Sequence, residues 1–346
     1  MTQHFKDQVV VITGASAGVG RATARAFAHQ GANIGLIARG KEGLEAAQRE
    51  IELIGTKTLA IQVDVADAQA VERAAQTVED QLGPIDVWVN NAMVTIFSPV
   101  SEISAAEFKR VTEVTYLGGV YGTMSALKRM VPRDRGAIVQ VSSALAYRSI
   151  PLQSAYCGAK HALVGFIDAL RSELIHDGSR VHVTAVEMPA LNTPQFSWAR
   201  NKMPNRPQPV PPIFQPEVAA EAILFAARHR RRNVPVGGPT YLAEWGQKFV
   251  PGLLDRYLGR IGYQAQQTTE PDSPDRADNL FEPVAGDPGA HGRFTERAKP
   301  DSPALWAEEN RGALFAAAVA AGAIAALWWH ARDHRRSPVQ TLHRSR

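Results

Sequence analysis

The stretch from Val9 to Gly20, VVVITGASAGVG, decides how the rest of the chain is read. Val9 to Ile12 are all β-branched and apolar, so the strand they make has no face suited to water, which is the pattern of a strand buried inside a parallel sheet. Gly14, Gly18 and Gly20 follow, and an alanine-rich helical pattern begins at once. Glycines at this place permit a tight turn and close backbone approach. The helix N-terminus behind them offers unpaired N–H groups and a positive dipole end to a pyrophosphate. The spacing departs from G-x-G-x-x-G, and a glycine turn with a purely structural role reads the same way.

Outward from this turn, apolar strand patterns alternate with amphipathic helical ones as far as about residue 240. Strands are predicted at Val9 to Thr13, Asn33 to Ala38, Thr58 to Val63, Ile85 to Asn90, Gly136 to Ser142, His182 to Glu187 and Asn233 to Val236. Helices are predicted at Val19 to His29, Leu44 to Leu53, Asp67 to Leu82, Ala105 to Arg129, Ala155 to Ile175 and Pro216 to His229. The alternation specifies an α/β fold, a doubly wound parallel sheet of about seven strands flanked by helices, with a C-terminal extension.

Composition narrows the function classes. The chain has 346 residues, 45% hydrophobic and 21% charged, enough for a soluble core. Its single cysteine, Cys157, excludes an internal disulfide framework, and the scattered histidines have no metal-ligand spacing, so no metal site is expected. The formal charge of +4 equals that of the last 17 residues, five arginines less one aspartate, which leaves the body neutral. A nucleic-acid partner is therefore not expected, because phosphate recognition needs a clustered basic face. The N-terminus shows no secretory pattern, and a cytoplasmic catalytic domain is expected.

A second cluster carries the chemistry. Tyr156 and Lys160 are four residues apart in a helical pattern and share one face. A phenol of pKa near ~10 needs a nearby cation before it can act as a base at neutral pH, and a lysine one turn away supplies it. Ser143, ending a strand, can hydrogen-bond the same substrate oxygen.

These features together resemble the short-chain dehydrogenase/reductase family over roughly residues 5 to 240. The matching motifs, in order, are TGASAGVG at Thr13 to Gly20, Asp64 after the third strand, NNA at Asn90 to Ala92, Ser142 and Ser143, and YCGAK at Tyr156 to Lys160. The resemblance implies a Rossmann-type sheet and a homodimer or homotetramer built on the long helices. It implies Tyr156 as catalytic acid/base, Ser143 as its substrate-orienting partner, and Lys160 as pKa modulator and ribose ligand. The cofactor-binding candidates are Gly14, Ser16, Gly18, Val19, Gly20, Arg39, Asp64, Val65, Asn91, Ala92, Tyr156, Lys160 and Thr193.

Three positions depart from the family pattern. Thr115 stands where an asparagine proton relay is usual, Met93 replaces a glycine after Ala92, and Met188 and Pro189 replace a Pro-Gly pair. After the second strand stand Ala38 and Arg39 rather than an acid. A guanidinium fork suits a 2′-phosphate, so NADP(H) is favoured over NAD(H), with Lys41 and Arg21 adding positive potential.

The chain divides into a cofactor-binding domain at 1–263, a linker or disordered extension at 264–310, and a hydrophobic helix with a basic tail at 311–346. Within the first, residues 194–216 hold seven prolines with Phe196, Trp198, Ile213 and Phe214 interleaved, a substrate lid leaning toward an apolar substrate. Gly312 to Trp329 is an uncharged run of 18 residues, nine of them alanine, ending in two tryptophans. It reads as a membrane anchor, an interfacial helix or a helix buried between subunits, with membrane association favoured. The tail arginines Arg332, Arg335 and Arg336 suit anionic headgroups. The expected function is an NADP(H)-dependent oxidoreductase interconverting a small-molecule carbonyl and an alcohol. The alternative is a weakly catalytic or non-catalytic cofactor-binding scaffold or redox sensor.

Overall fold

The computed structural model describes residues 3–273 and 275–334. The chain divides into two units, Met1–Leu305 and Trp306–Arg346.

In the first unit seven strands form one parallel sheet: β1 (Val9–Thr13), β2 (Asn33–Ala38), β3 (Thr58–Gln62), β4 (Ile85–Asn90), β5 (Ala137–Ser143), β6 (His182–Met188) and β7 (Asn233–Pro235). Their order is β7-β6-β5-β4-β1-β2-β3. The doubly wound sheet is thus the one the sequence specifies. Alternate side chains of β1 feed different cores: Val10 and Ile12 pack with Phe27, Ile34 and Leu36, whereas Val9 and Val11 pack with Trp88 and Ile138. Both faces are therefore dry, and each fully buried Val or Ile contributes about 1.5–3 kcal/mol. The direction of winding reverses between β1 and β4, which opens a crevice at their C-terminal ends.

The flanking helices are α1 (Gly18–His29), α2 (Lys41–Ile54), α3 (Ala68–Leu82), α4 (Ala105–Thr112), α5 (Gly118–Met130), α6 (Ser154–His176), α7 (Pro216–Arg228), α8 (Gly238–Phe249) and α9 (Pro251–Ala265). Local chemistry fixes several of their starts. Asp67 accepts hydrogen bonds from the amides of Gln69 and Ala70, Ser104 and Glu107 form a reciprocal capping box on α4, and Pro216 opens α7. By contrast α1 begins at Ala17 with no side-chain cap.

The helix predicted as one piece from Ala105 to Arg129 is broken by a π-helical turn at Glu113–Leu117. Within that turn the Thr115 hydroxyl donates to Val94 O at 2.8 Å and accepts from Val94 N at 3.1 Å. The helix also passes so close to its neighbours that a Cβ on Gly118 would meet Val65 Cγ2 at 2.6 Å, and one on Gly122 would meet Asn90 Oδ1 at 2.2 Å.

Two stretches differ from a loop and a linker. Within 194–216, Arg200–Asn201 pairs with Ile96–Phe97, Asn205–Pro207 with Gln267–Pro271, and Ile213–Phe214 with Ala190–Leu191 and Ala298–Lys299. Phe196 lies between Phe97 and Phe294 at centroid distances of 6.1 and 5.9 Å. Described residues between 264 and 305, in a stretch that composition marks as a linker or disordered extension, pack onto the sheet domain. Leu280 is fully buried beside Val63 and Val65, and Ser302 donates to Val236 O at 2.5 Å. Hydrogen bonds from arginines distant in sequence replace the missing periodicity.

The second unit contains the helix Arg311–His334. Its window Arg311–His330 has mean hydropathy 1.8, none of it buried, and is long and apolar enough to cross a membrane. Residues 335–346, with Arg335 and Arg336 of the basic tail, lie outside the described residues.

Candidate active site

The β1–α1 turn can be built only with glycine at its tight points. Gly14 has φ +68°, and a Cβ there would meet Ala92 Cα at 2.9 Å; a Cβ on Gly20 would lie 2.2 Å from Gly14 O. Thr13 ties this turn to the loop after β4, its hydroxyl accepting from the amides of Asn91 and Ala92 at 3.0 and 3.1 Å, while Asn91 Nδ2 donates back to Thr13 O at 3.0 Å. A Cβ on Gly18 would touch Thr193 at 3.3 Å, so the segment after β6 closes on the same turn.

A cleft runs along these loops. Of the predicted cofactor residues, Gly14, Ser16, Gly18, Val19, Arg39, Asp64, Val65, Asn91, Ala92 and Thr193 line it, and Met93 joins them. Gly20 supports the turn from behind. The uncapped first turn of α1 leaves backbone N–H groups without intrahelical acceptors, an arrangement suited to an anion. Glycine turn, uncapped helix and cleft together fit a dinucleotide.

Ser143, Tyr156 and Lys160 form a second group. Ser143 ends β5, and its Oγ accepts from Leu145 N at 3.1 Å. Ser143 also acts on the Tyr156 phenol in the first turn of α6, favouring its ionised form. Lys160 is buried one turn further on, its Nζ 5.6 Å from the Tyr156 ring centroid and donating to Val141 O at 2.6 Å. Burial disfavours the charged form of each group. It raises the Tyr156 phenol above its ordinary value, against the opposing influence of Ser143. It pushes the Lys160 ammonium down to about 8. As these groups stand, desolvation outweighs the influence of Ser143, and Tyr156 holds its proton.

The departures from the family pattern acquire definite places. Both hydrogen-bonding directions of Thr115 are used on Val94, so its hydroxyl secures a loop rather than relaying a proton. Cys157 is buried with its thiol pushed up by burial, consistent with a packing residue. Arg21 is buried and paired with Glu50 and Asp287, which commits its charge.

Sequence reading missed two features. Glu187, next to Met188, is fully buried and accepts from Tyr147 Oη at 2.5 Å, and Asn233 Nδ2 donates to that same phenol at 3.1 Å. Burial pushes its carboxyl up to about 7. An acid within the strand VHVTAVEM was its only signal. The second is the segment after Asn279, whose carbonyls at Asn279 and Phe281 accept from the Arg39 guanidinium at 2.6 and 2.8 Å.

Comparison with known proteins agrees with this geometry. The family model described as short chain dehydrogenase matches residues 8–204. The uncharacterized oxidoreductase YxnA of Bacillus subtilis (strain 168) is 33% identical over 325 residues, covering 93% of this chain and 90% of that protein. The 3-ketodihydrosphingosine reductase of Bos taurus is 32% identical over 241 residues, covering 67% of this chain and 72% of that one. The crystal structure of levodione reductase superposes with a TM-score of 0.60 at 26% identity, over 71% of this chain and all of that one.

Proposed function

The chain belongs to the short-chain dehydrogenase/reductase family, and from that premise we propose that it is an NADP(H)-dependent enzyme interconverting a ketone or aldehyde and an alcohol on an apolar substrate. Family membership makes it an oxidoreductase acting on CH–OH or C=O groups with a nicotinamide cofactor. The observation that carries the finer reading is Lys160 buried one turn beyond Tyr156 with its Nζ 5.6 Å from the phenol ring centroid, while Ser143 at the end of β5 acts on that same phenol.

The glycine turn and the first-turn amides of α1 other than Gly18 N, which donates to Gly289 O, would hold the pyrophosphate, and Asp64, Val65, Asn91 and Ala92 line the remainder of the cleft up to Thr193. A nicotinamide bound there would supply or accept the hydride and, when oxidised, would bring a positive charge that favours a phenolate. Tyr156, protonated by virtue of its burial, is poised to donate that proton to a developing alkoxide, while Ser143 hydrogen-bonds the same oxygen. Lys160 sits at the depth where deprotonation of Tyr156 leaves a charge to balance. Arg39, lining the cleft at the end of β2 where no acid stands, supports NADP(H) over NAD(H). An apolar substrate is supported by Trp198 at the cleft and by the relative named for a ketosphingoid substrate.

Exposed Phe108 on α4, Met124 on α5 and Ile175 on α6 support a homodimer or homotetramer built on these helices. The helix Arg311–His330 supports membrane association. The test is single-turnover oxidation of bound NADPH against a panel of long-chain ketones and aldehydes. Turnover on at least one supports the enzyme; tight cofactor binding without turnover on any supports the scaffold reading, to which the occupied Thr115 hydroxyl lends its weight.

A further inference from the structure

Residues 279–292 run along the whole length of the cofactor cleft. They begin at the end of β2, where the Arg39 guanidinium donates to the carbonyls of Asn279 and Phe281, and Arg110, itself bonded to Asp64 at 2.5 Å, donates to Leu280 O at 3.1 Å. They cross the first turn of α2, where the Glu42 carboxylate accepts from Gly286 N and a Cβ on Gly43 would meet Pro288 at 3.0 Å. They then reach the first turn of α1, with Asp287 paired to Arg21 and Gly18 N donating to Gly289 O at 3.1 Å. They finish beyond β6, where Gly292 N donates to Asn192 O at 3.1 Å. Between these ties Pro283, Val284, Gly286 and Pro288 line the cleft itself.

We propose that residues 279–289 are a latch over the cofactor, held by ion pairs and hydrogen bonds to the first turns of α1 and α2, and that its opening sets the rate at which either nicotinamide cofactor leaves. This rests on reading the cleft as the cofactor site. A dinucleotide in the cleft contacts the glycine turn and the segment 283–288 at once, because both line it. The ties are charge-assisted, so they resist opening more than neutral hydrogen bonds do. Apart from the backbone bond Gly18 N to Gly289 O, they are side chain to backbone or ion pairs at single points, which lets the segment lift without unpairing any strand of the main sheet. Arg39 is thereby an anchor of the latch as well as a wall of the cleft, and its loss reaches NADH as well as NADPH.

The test is stopped-flow displacement of prebound NADPH and, separately, NADH from the full chain, using Asp287→Ala and Glu42→Gln, neither of which lines the cleft. Each removes one charged tie, and release of both cofactors is expected to accelerate by about tenfold or more, with the rate of the chemical step in a single turnover little changed. Hydrogen exchange on the unaltered protein gives a second measure: the Gly286 and Gly289 amides should exchange more slowly with cofactor bound. Release rates equal to the unaltered protein's, or exchange at 286 and 289 indifferent to cofactor, overturns the latch. Failure of the unaltered chain to bind either cofactor refutes instead the assignment of the cleft, and the latch falls with it.

Discussion

Replacing Glu187 by glutamine should stabilise the protein in a pH-dependent way. The carboxyl is fully buried at the end of β6, with one oxygen bonded to Tyr147 Oη and the other, Oε2, without a hydrogen-bond partner among the described residues. Around it stand Tyr147, Asn233, Arg171 on α6, and Glu244 and Lys248 on α8. Burial is the largest influence, and the carboxyl is pushed up from 4.5 to about 7. A folded-state value above the unfolded one means that the native protein binds the proton more tightly, so the stability it contributes is complete below about pH 4.5 and is lost as pH rises through 7. A displacement of that size corresponds to about 3 kcal/mol, most of it, about 2.5 kcal/mol, lost between pH 5 and 8. Glutamine keeps the shape and cannot ionise. Urea unfolding of the two proteins should give stabilities close together at pH 5 and a Glu187→Gln protein more stable by about 2–3 kcal/mol at pH 8. An identical difference at both pH values would refute the reasoning, since a packing effect does not titrate.

Three further outcomes follow from the geometry. Arg39→Ala should lower kcat/KM with NADPH by well over ~10-fold and with NADH by less, because only NADPH presents a 2′-phosphate; equal losses would leave Arg39 an anchor of the 279–289 segment alone. Asp67→Ala removes the acceptor for the amides of Gln69 and Ala70 and should cost about 1 kcal/mol in urea unfolding with activity retained; no loss of stability would contradict the cap. The full chain should sediment with membranes and resist high-salt washing, whereas a chain ending at Asn310 should be soluble; equal solubility without detergent would end the membrane reading.

The sheet was legible because its strands are buried on both faces, so Val9 to Ile12 and Ile34 to Ala38 read as near-continuous apolar runs with little else to be. The motifs at Gly14 to Gly20 and Asn90 to Ala92 pointed to loops that line one cleft, and that at Tyr156 to Lys160 to a helix face beside the end of β5. What escaped was non-local. The π-turn at Glu113–Leu117 coincides with the hydroxyl of Thr115 bonding to Val94, a partner 21 residues away. The ordered segment after Gln264 has no apolar period because arginines at 21, 39 and 110 hold it by its backbone carbonyls and Asp287. Neither the depression of Lys160 nor the elevation of Tyr156 follows from their spacing; both come from the depth at which α6 buries them.

The central claim, that Tyr156 transfers the proton, is tested most directly by single-turnover kinetics of Tyr156→Phe with bound NADPH. Phenylalanine keeps the ring against the core and removes only the hydroxyl. The hydride-transfer rate on any carbonyl the unaltered protein accepts should fall by at least ~100-fold while the affinity for NADPH stays nearly constant. A rate within a few-fold of the unaltered protein's would contradict the assignment and move the proton source elsewhere.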